Sequence, residues 1–164
     1  MPTYYGIDPG QERSGVVLYT VPPGRPHGYV EFAGWLLNDD VWRDFGKQPH
    51  GTIGVIESVV SYGTTMGMSL VTTAEWIGVF VHEWRKQRDQ PMHRVSRPDV
   101  KLHLLGQRAG TSGQVHAALY ERFGGDVRTA KGTKDAPGPC HRVSGHAWDA
   151  LAVVVTHHER SCEQ

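Results

Sequence analysis

Two acidic residues stand at the ends of apolar segments. Asp8 follows Tyr4-Tyr5-Gly6-Ile7 and precedes Pro9-Gly10, and Glu57 ends the apolar run Ile53-Gly54-Val55-Ile56. Apolar runs of this length that stop at turn-forming residues predict buried strands. We therefore expect a carboxylate at the end of each of two strands.

A second polar pair lies near the C-terminus. His146 and Asp149 are three residues apart in a segment that predicts a helix, and residues at i and i+3 share a helix face. Carboxylate oxygens are the ligands that Mg²⁺ prefers, and a cation relieves the repulsion among gathered carboxylates. Two such ions can stabilise both sides of a phosphoryl displacement. Taken singly, Asp8 is also a plausible turn former and His146 an ordinary surface histidine.

Length and charge limit the class of protein. The 164 residues suit one domain, residues 1–164, with its own core. The apolar stretches are too short for a membrane span and no signal peptide is visible, so we expect a soluble, cytoplasmic protein. The two cysteines, Cys140 and Cys162, predict free thiols.

Positive charge is concentrated in one part of a chain whose formal net charge is zero. Between Arg94 and Arg142 stand nine Lys or Arg against four Asp or Glu. Such asymmetry indicates a face that binds a polyanion, although surface charges also cluster by chance. The residues expected to contact nucleic acid are Lys101, Arg108, Arg128, Lys131, Lys134 and Arg142.

The order of predicted elements favours an α/β domain with a mixed sheet. The segments that predict strands are 4–8, 14–21, 29–36, 52–57 and 92–96. The segments that predict helices are 38–47, 69–88, a helix opened by Arg97-Pro98, 113–123, and a last one that carries His146 and ends near His157. Residues 124–145 predict a long, irregular and mobile loop.

The helix predicted over 69–88 is apolar on more than one side. Leu70, Ala74, Ile77, Val81 and Trp84 form one stripe, and Trp76, Val79 and Phe80 widen it. A helix of this kind usually packs against two partners. The second partner is either another subunit or the rest of the same monomer.

Four segments together resemble the motifs of the RuvC family of Holliday junction resolvases. The segments occur in family order and span nearly the whole chain: Gly6-Ile7-Asp8-Pro9-Gly10 with Ser14-Gly15, then Ile53 to Glu57, then Val95 to Lys101 with Leu105-Gly106 and Gln114-Val115, and last His146 to Ala152. The length suits a phage-type or compact member, and the resemblance implies the cytoplasm of a bacterial cell or a phage-infected host. Two positions depart from the family: Ser112 and Gly113 stand where a lysine is frequent, and Val60 stands where a phenylalanine occurs.

The resemblance implies a ribonuclease H-like fold with a mixed five-stranded sheet flanked by helices. It also implies a homodimer and a Mg²⁺-dependent endodeoxyribonuclease that resolves four-way DNA junctions in recombination and repair. Two Mg²⁺ ions are expected per site, with Mn²⁺ as a substitute. Asp8 would bridge both ions, Glu57 and Asp149 would each hold one, and His146 would be a ligand or orient the attacking water.

Tyr62, five residues after Glu57, is the candidate for stacking on a base exposed at the junction; the alternative is that it packs the following helix. Other functions remain open: a less selective branched-DNA or RNA-processing nuclease of the same fold, or a nucleic-acid-binding module without catalysis.

Overall fold

Five strands form one mixed sheet in the computed structural model of the protein, which describes residues 1–60 and 65–163. The strands are β1 (Thr3–Asp8), β2 (Arg13–Thr20), β3 (Tyr29–Leu37), β4 (Ile53–Ser58) and β5 (His93–Ser96). Their order in the sheet is β3-β2-β1-β4-β5. The first three strands run antiparallel, and β4 and β5 are parallel to β1. The expected mixed, five-stranded sheet is confirmed.

Helices cover both faces of this sheet. They are α1 (Asn38–Arg43), α2 (Met68–Arg88), α3 (Arg97–Leu105), α4 (Ser112–Arg122), α5 (Val127–Lys131) and α6 (Ala147–Cys162), with a 3-10 helix at Phe45–Lys47. One core lies between the sheet and α1 and α2, and includes Tyr5, Phe45 and Trp84. The other lies between the sheet and α3, α4 and α6. None of the helices in the described part of the chain is long and apolar enough to cross a membrane.

Helix α6 packs closely on the middle of the sheet because a glycine makes room for it. A Cβ added at Gly6 of β1 would lie 2.8 Å from the carbonyl oxygen of Ala150 and 2.3 Å from Cγ2 of Val154. Both distances are shorter than van der Waals contact, so a larger residue would push the helix away. The absence of a side chain at Gly6 therefore sets how near the start of α6 comes to the end of β1.

Two expectations about the elements are wrong in part. Residues 124–145 are not wholly irregular, because Asp126 caps the short helix α5 and Ala130, Cys140 and Val143 are buried in the core. The mobility of this segment stays a prediction. Phe80 on α2 is fully buried against Phe45 and Trp76, so it belongs to the monomer core rather than to a surplus apolar face.

Candidate active site

The carboxyl ends of parallel strands bring the first two acidic residues together. Ile7 pairs with Ile56 across β1 and β4, so the next residues, Asp8 and Glu57, lie at the same edge of the sheet. Side chains alternate between the two faces of a strand. Asp8 and Glu57 stand two residues after Gly6 and Val55, which face α6. Both carboxylates therefore lie on the side that α6 covers.

The start of α6 supplies the other two predicted residues. Asp149 lies in the first turn of the helix, and His146 is its N-cap residue rather than part of the helix as expected. Asp8, His146 and Asp149 each offer one possible ligand atom, and these three atoms lie within 4.8 Å of one another. Among the described residues, this cluster does not include Glu57, which lies across the same cleft.

The four predicted residues line a cleft of about 710 Å³. Its wall also contains Pro9, Gly10, Gln11, Glu12, Arg13, Trp35 and Arg97. The three carboxylates are largely withdrawn from solvent, with 13–18% of each side chain exposed, whereas 60% of the His146 side chain is exposed. The acids thus form the floor of the cleft and the imidazole stands at its mouth.

Arg97 lies between two of the acids. It is the first residue of α3 and follows β5, whose end lies beside that of β4. Its Nη1 donates to Oε2 of Glu57 at 3.3 Å and its Nη2 donates to Oδ1 of Asp149 at 2.9 Å. The same Nη2 lies 2.7 Å from Oγ of Ser112, one of the two positions where a lysine was expected. A guanidinium therefore supplies positive charge within the site.

Two histidines contact the acids. Nδ1 of His146 lies 3.2 Å from Oδ2 of Asp8, and Nε2 of His116, on α4, lies 3.2 Å from Oδ1 of Asp149. His146 is in turn stacked on the indole of Trp35, whose ring also lies under the guanidinium of Arg13. The imidazole at the cleft mouth is thus held from two sides.

The environment shifts the pKa values of the acids in different directions. Burial raises the pKa of Asp8 to about 7, with the charge of Asp149 adding and that of Arg97 opposing. Burial likewise raises the pKa of Glu57 to about 7, with Asp8 adding and Arg97 opposing. Burial also acts to raise the pKa of Asp149, but hydrogen bonds from His116 and Arg97 outweigh it and lower that pKa.

These residues fit a divalent cation. Asp8, His146 and Asp149 offer two oxygen donors and one nitrogen donor around a common point. The raised pKa values of Asp8 and Glu57 indicate negative charge that the protein alone does not fully compensate, and a bound cation would do so. The donor set suits Mg²⁺, and also Mn²⁺.

The residues expected to contact DNA are distributed around this cleft and beyond it. Lys101 lines a smaller cleft together with Glu57 and Arg97. Arg108 lies between α3 and α4, Arg128 and Lys131 belong to α5, and Lys134 follows that helix. Arg142 lines a separate cleft of about 660 Å³ with Arg25 and His141. Tyr62 lies outside the described residues.

Sequence patterns do not reveal three members of this site. Arg97 carries only the signal of a helix start, next to Pro98. His116 lies in a predicted helix without a motif of its own, and Trp35 lies in a segment whose alternating pattern predicts a strand. What joins them to the acids is the packing of α3, α4 and β3 around α6, which depends on the whole fold.

Comparisons with known proteins give a shared fold. No family model and no curated protein matches the sequence. The chain is similar in structure to Thermus thermophilus RuvC in complex with a Holliday junction substrate, with a TM-score of 0.68 and 19% identity over 98% of this chain and 95% of that one. A second structure of Thermus thermophilus RuvC gives a TM-score of 0.68 and 18% identity over 98% and 96% of the two chains. The expected RuvC-like fold is confirmed.

Proposed function

We propose that this protein is a metal-dependent endonuclease that resolves four-way DNA junctions. The observation that carries the proposal is the meeting of Asp8, Glu57, His146 and Asp149 in one cleft of a chain with the fold of RuvC. Three partly buried carboxylates gathered in one cleft are costly without a cation. Binding of a divalent ion for phosphodiester hydrolysis would account for this arrangement of acids.

The residues of the cleft divide between two cation positions. Asp8, His146 and Asp149 would hold one divalent ion, and Asp8 with Glu57 would hold a second. When bound, such ions activate water and stabilise the charge that develops on the leaving 3′-oxygen, which leaves a 5′-phosphate on the other fragment. The preferred ion is Mg²⁺, with Mn²⁺ as a substitute.

The protein side chains orient the reacting groups. Asp8 contacts Nδ1 of His146 and so fixes the rotation of the ring, and the stacking of Trp35 on that ring limits its movement. With Nδ1 directed at Asp8, Nε2 of His146 is the ring atom that would either hold the ion or orient the attacking water. Arg97 and His116 both contact Oδ1 of Asp149, which leaves Oδ2 of that carboxylate for an ion.

The proposed substrate is branched DNA. Support comes from the fold and from the positive segment between Arg94 and Arg142, in which Lys101, Arg108, Arg128, Lys131, Lys134 and Arg142 are the proposed phosphate contacts. Tyr62 remains the proposed base contact. Since two strands of a junction must be cut, we also propose a homodimer through α2, on which Val79 is an exposed apolar residue.

The test is cleavage of a mobile four-way junction beside linear duplex and single strands, in Mg²⁺ and in chelator. Asp8→Asn and Glu57→Gln remove charge at nearly constant shape, so they should abolish cutting while junction binding persists. Glu121→Gln, at an exposed position on α4, is the matched control and should cut normally. Cutting that survives in both site variants would contradict the assignment.

The same assay separates the other functions. Equal cutting of junctions, linear duplex and RNA would indicate a less selective nuclease, and binding without cutting would indicate a nucleic-acid-binding module. For the dimer, sedimentation of wild type and Val79→Glu is decisive. We expect a dimer that Val79→Glu dissociates; Trp76→Glu is less informative because Trp76 packs on the core residue Phe80. A wild-type monomer at micromolar concentration would overturn the dimer.

A further inference from the structure

We propose that Arg97 occupies one of the two cation positions of the site, so that the DNA-free protein binds a single divalent ion. The inference rests on the metal site of the proposed function but not on the choice of DNA as substrate. It follows from where the guanidinium lies and from the charge that it carries.

The position of the guanidinium is the first argument. Arg97 donates one hydrogen bond to Glu57 and another to Asp149, and thereby bridges residues from β4 and α6. Glu57, the acid outside the cluster of possible ligand atoms, is one of these two partners. The guanidinium therefore engages Oε2 of Glu57, an oxygen with which Glu57 would otherwise bind a second ion.

The charge of the site is the second argument. Asp8, Glu57 and Asp149 carry three negative charges when ionised, and Arg97 contributes one positive charge, which leaves two. One divalent ion neutralises that remainder, whereas two ions would make the DNA-free site strongly positive. The second ion can enter only when Arg97 withdraws from the carboxylates or when a phosphate adds negative charge.

The local structure makes withdrawal of Arg97 costly. Arg97 begins α3, and Pro98 follows it at a position that fixes the backbone. The hydroxyl of Ser96 accepts from the backbone N–H of Asp99 and donates to its carboxylate, which caps the helix. Ser112 gives Nη2 of Arg97 a third partner at 2.7 Å. The capped helix start therefore fixes where the Arg97 side chain begins, and three hydrogen-bond partners hold its guanidinium in the cleft.

The test counts Mn²⁺ ions bound to the DNA-free protein by electron paramagnetic resonance of free Mn²⁺. Wild type should bind one ion tightly, and Arg97→Gln should bind two. Even with water-like screening, a positive charge beside a divalent ion costs on the order of tenfold in affinity, so the second ion should bind at least about tenfold more tightly in Arg97→Gln. Arg94→Gln, exposed on β5, removes the same charge outside the cleft and should keep the wild-type count.

A rescue variant tests the position of the charge rather than its presence. Since Ser112 Oγ lies 2.7 Å from Arg97 Nη2, a lysine introduced at Ser112 can place its ammonium near the guanidinium position. Arg97→Gln combined with Ser112→Lys should therefore restore one tight ion. A count of one in wild type, two in Arg97→Gln and one in the double variant supports the proposal.

Two results would overturn it. One is wild type binding two ions with equal affinity, which decides the matter even if Arg97→Gln does not fold. The other is an Arg97→Gln protein that melts like wild type in chelator and still binds the second ion no more tightly. The number of bound Mn²⁺ ions is measured without DNA, so it can be interpreted even if the protein does not cleave junctions. Conversely, a result against the role of Arg97 would not contradict the nuclease proposal.

Discussion

Gly15 lies directly against the backbone of His146: a Cβ added at Gly15 would lie 2.3 Å from the carbonyl oxygen of His146 and 2.5 Å from its carbonyl carbon. The obstacle is backbone, which cannot rotate away as a side chain can. Gly15→Ala should therefore shift the start of α6, lower the free energy of unfolding by about 1–3 kcal/mol and weaken Mn²⁺ binding.

The control for that variant is Gly78→Ala. Gly78 lies within α2, and a Cβ there would meet no atom within 4 Å apart from its chain neighbours and the adjacent backbone of its own helix. Alanine is the better helix former, so this variant should be more stable by about 0.5–1 kcal/mol and bind Mn²⁺ normally. Urea unfolding and Mn²⁺ titration measure both effects. Wild-type stability in Gly15→Ala would show that α6 can move without cost.

Trp35 should affect the metal site through His146. The two rings lie 5.8 Å apart between centroids, with planes inclined by 29°, and an aromatic pair of this kind contributes about 0.5–1.5 kcal/mol. Trp35→Ala should therefore weaken Mn²⁺ binding by about two- to tenfold, and Trp35→Phe should lose less. Tyr29→Ala, which removes an exposed aromatic from the other end of β3, is the control. An unchanged Mn²⁺ affinity in Trp35→Ala would show that Trp35 does not support metal binding.

Stability and metal affinity should depend on pH in opposite ways. Asp8 and Glu57 have pKa values of about 7 in the folded protein, against ordinary values of 3.8 and 4.5. Between these limits the folded state holds protons that the unfolded chain has lost, so the metal-free protein becomes less stable as pH rises toward 7. Mn²⁺ competes with those protons, and its affinity should rise over the same range.

The measurement is urea unfolding in chelator and calorimetric Mn²⁺ titration from pH 5.5 to 8. His157 also contributes over this range. Burial, His93 and His158 lower its pKa from 6.5 to about 4 in the folded protein. The unfolded chain therefore loses this proton as pH rises, which favours the folded state. The comparison with Asp8→Asn isolates the acid contribution, because that variant keeps His157. Equal pH slopes in wild type and Asp8→Asn would rule out a raised pKa at Asp8.

Charge reversal in the positive segment should change DNA binding in a way that salt reveals. Lys131 ends α5 and Lys134 follows it. If both contact phosphates, Lys131→Glu with Lys134→Glu should weaken junction binding and reduce the slope of log affinity against log salt by about 0.7–0.9 per lost contact. Lys86→Glu, near the end of α2, is the control. An unchanged slope would place the DNA-binding face elsewhere.

The parts of the site that sequence predicts are those carried by short, local patterns. Asp8 and Glu57 end apolar strands, and the i, i+3 spacing joins His146 to Asp149. No local sequence pattern shows where a long side chain such as that of Arg97 points. Arg97 reaches Glu57 and Asp149 because α3 begins where β5 ends beside β4, and that depends on strand order.

The errors in the fold have similar causes. An apolar pattern predicts that a helix is buried but does not show what it packs against. From sequence, Phe80 of α2 is therefore equally consistent with a subunit interface and with the monomer core, where it lies. Helix α5 is only five residues long and stands in a segment rich in glycine. Its one local signal is Asp126, whose side chain accepts from the backbone N–H of Thr129 at 2.8 Å.

The contact between His146 and Asp8 joins residues 138 positions apart, and this separation ties the chemistry to the completion of folding. Strands β1 and β4 can pair and still lack His146 and Asp149, because both arrive with α6, the last element of the described chain. A growing or partly unfolded polypeptide in which α6 has not docked would have Asp8 and Glu57 but would lack the cluster of Asp8, His146 and Asp149. The proposed nuclease activity would then arise only in the step that docks α6 and completes the core.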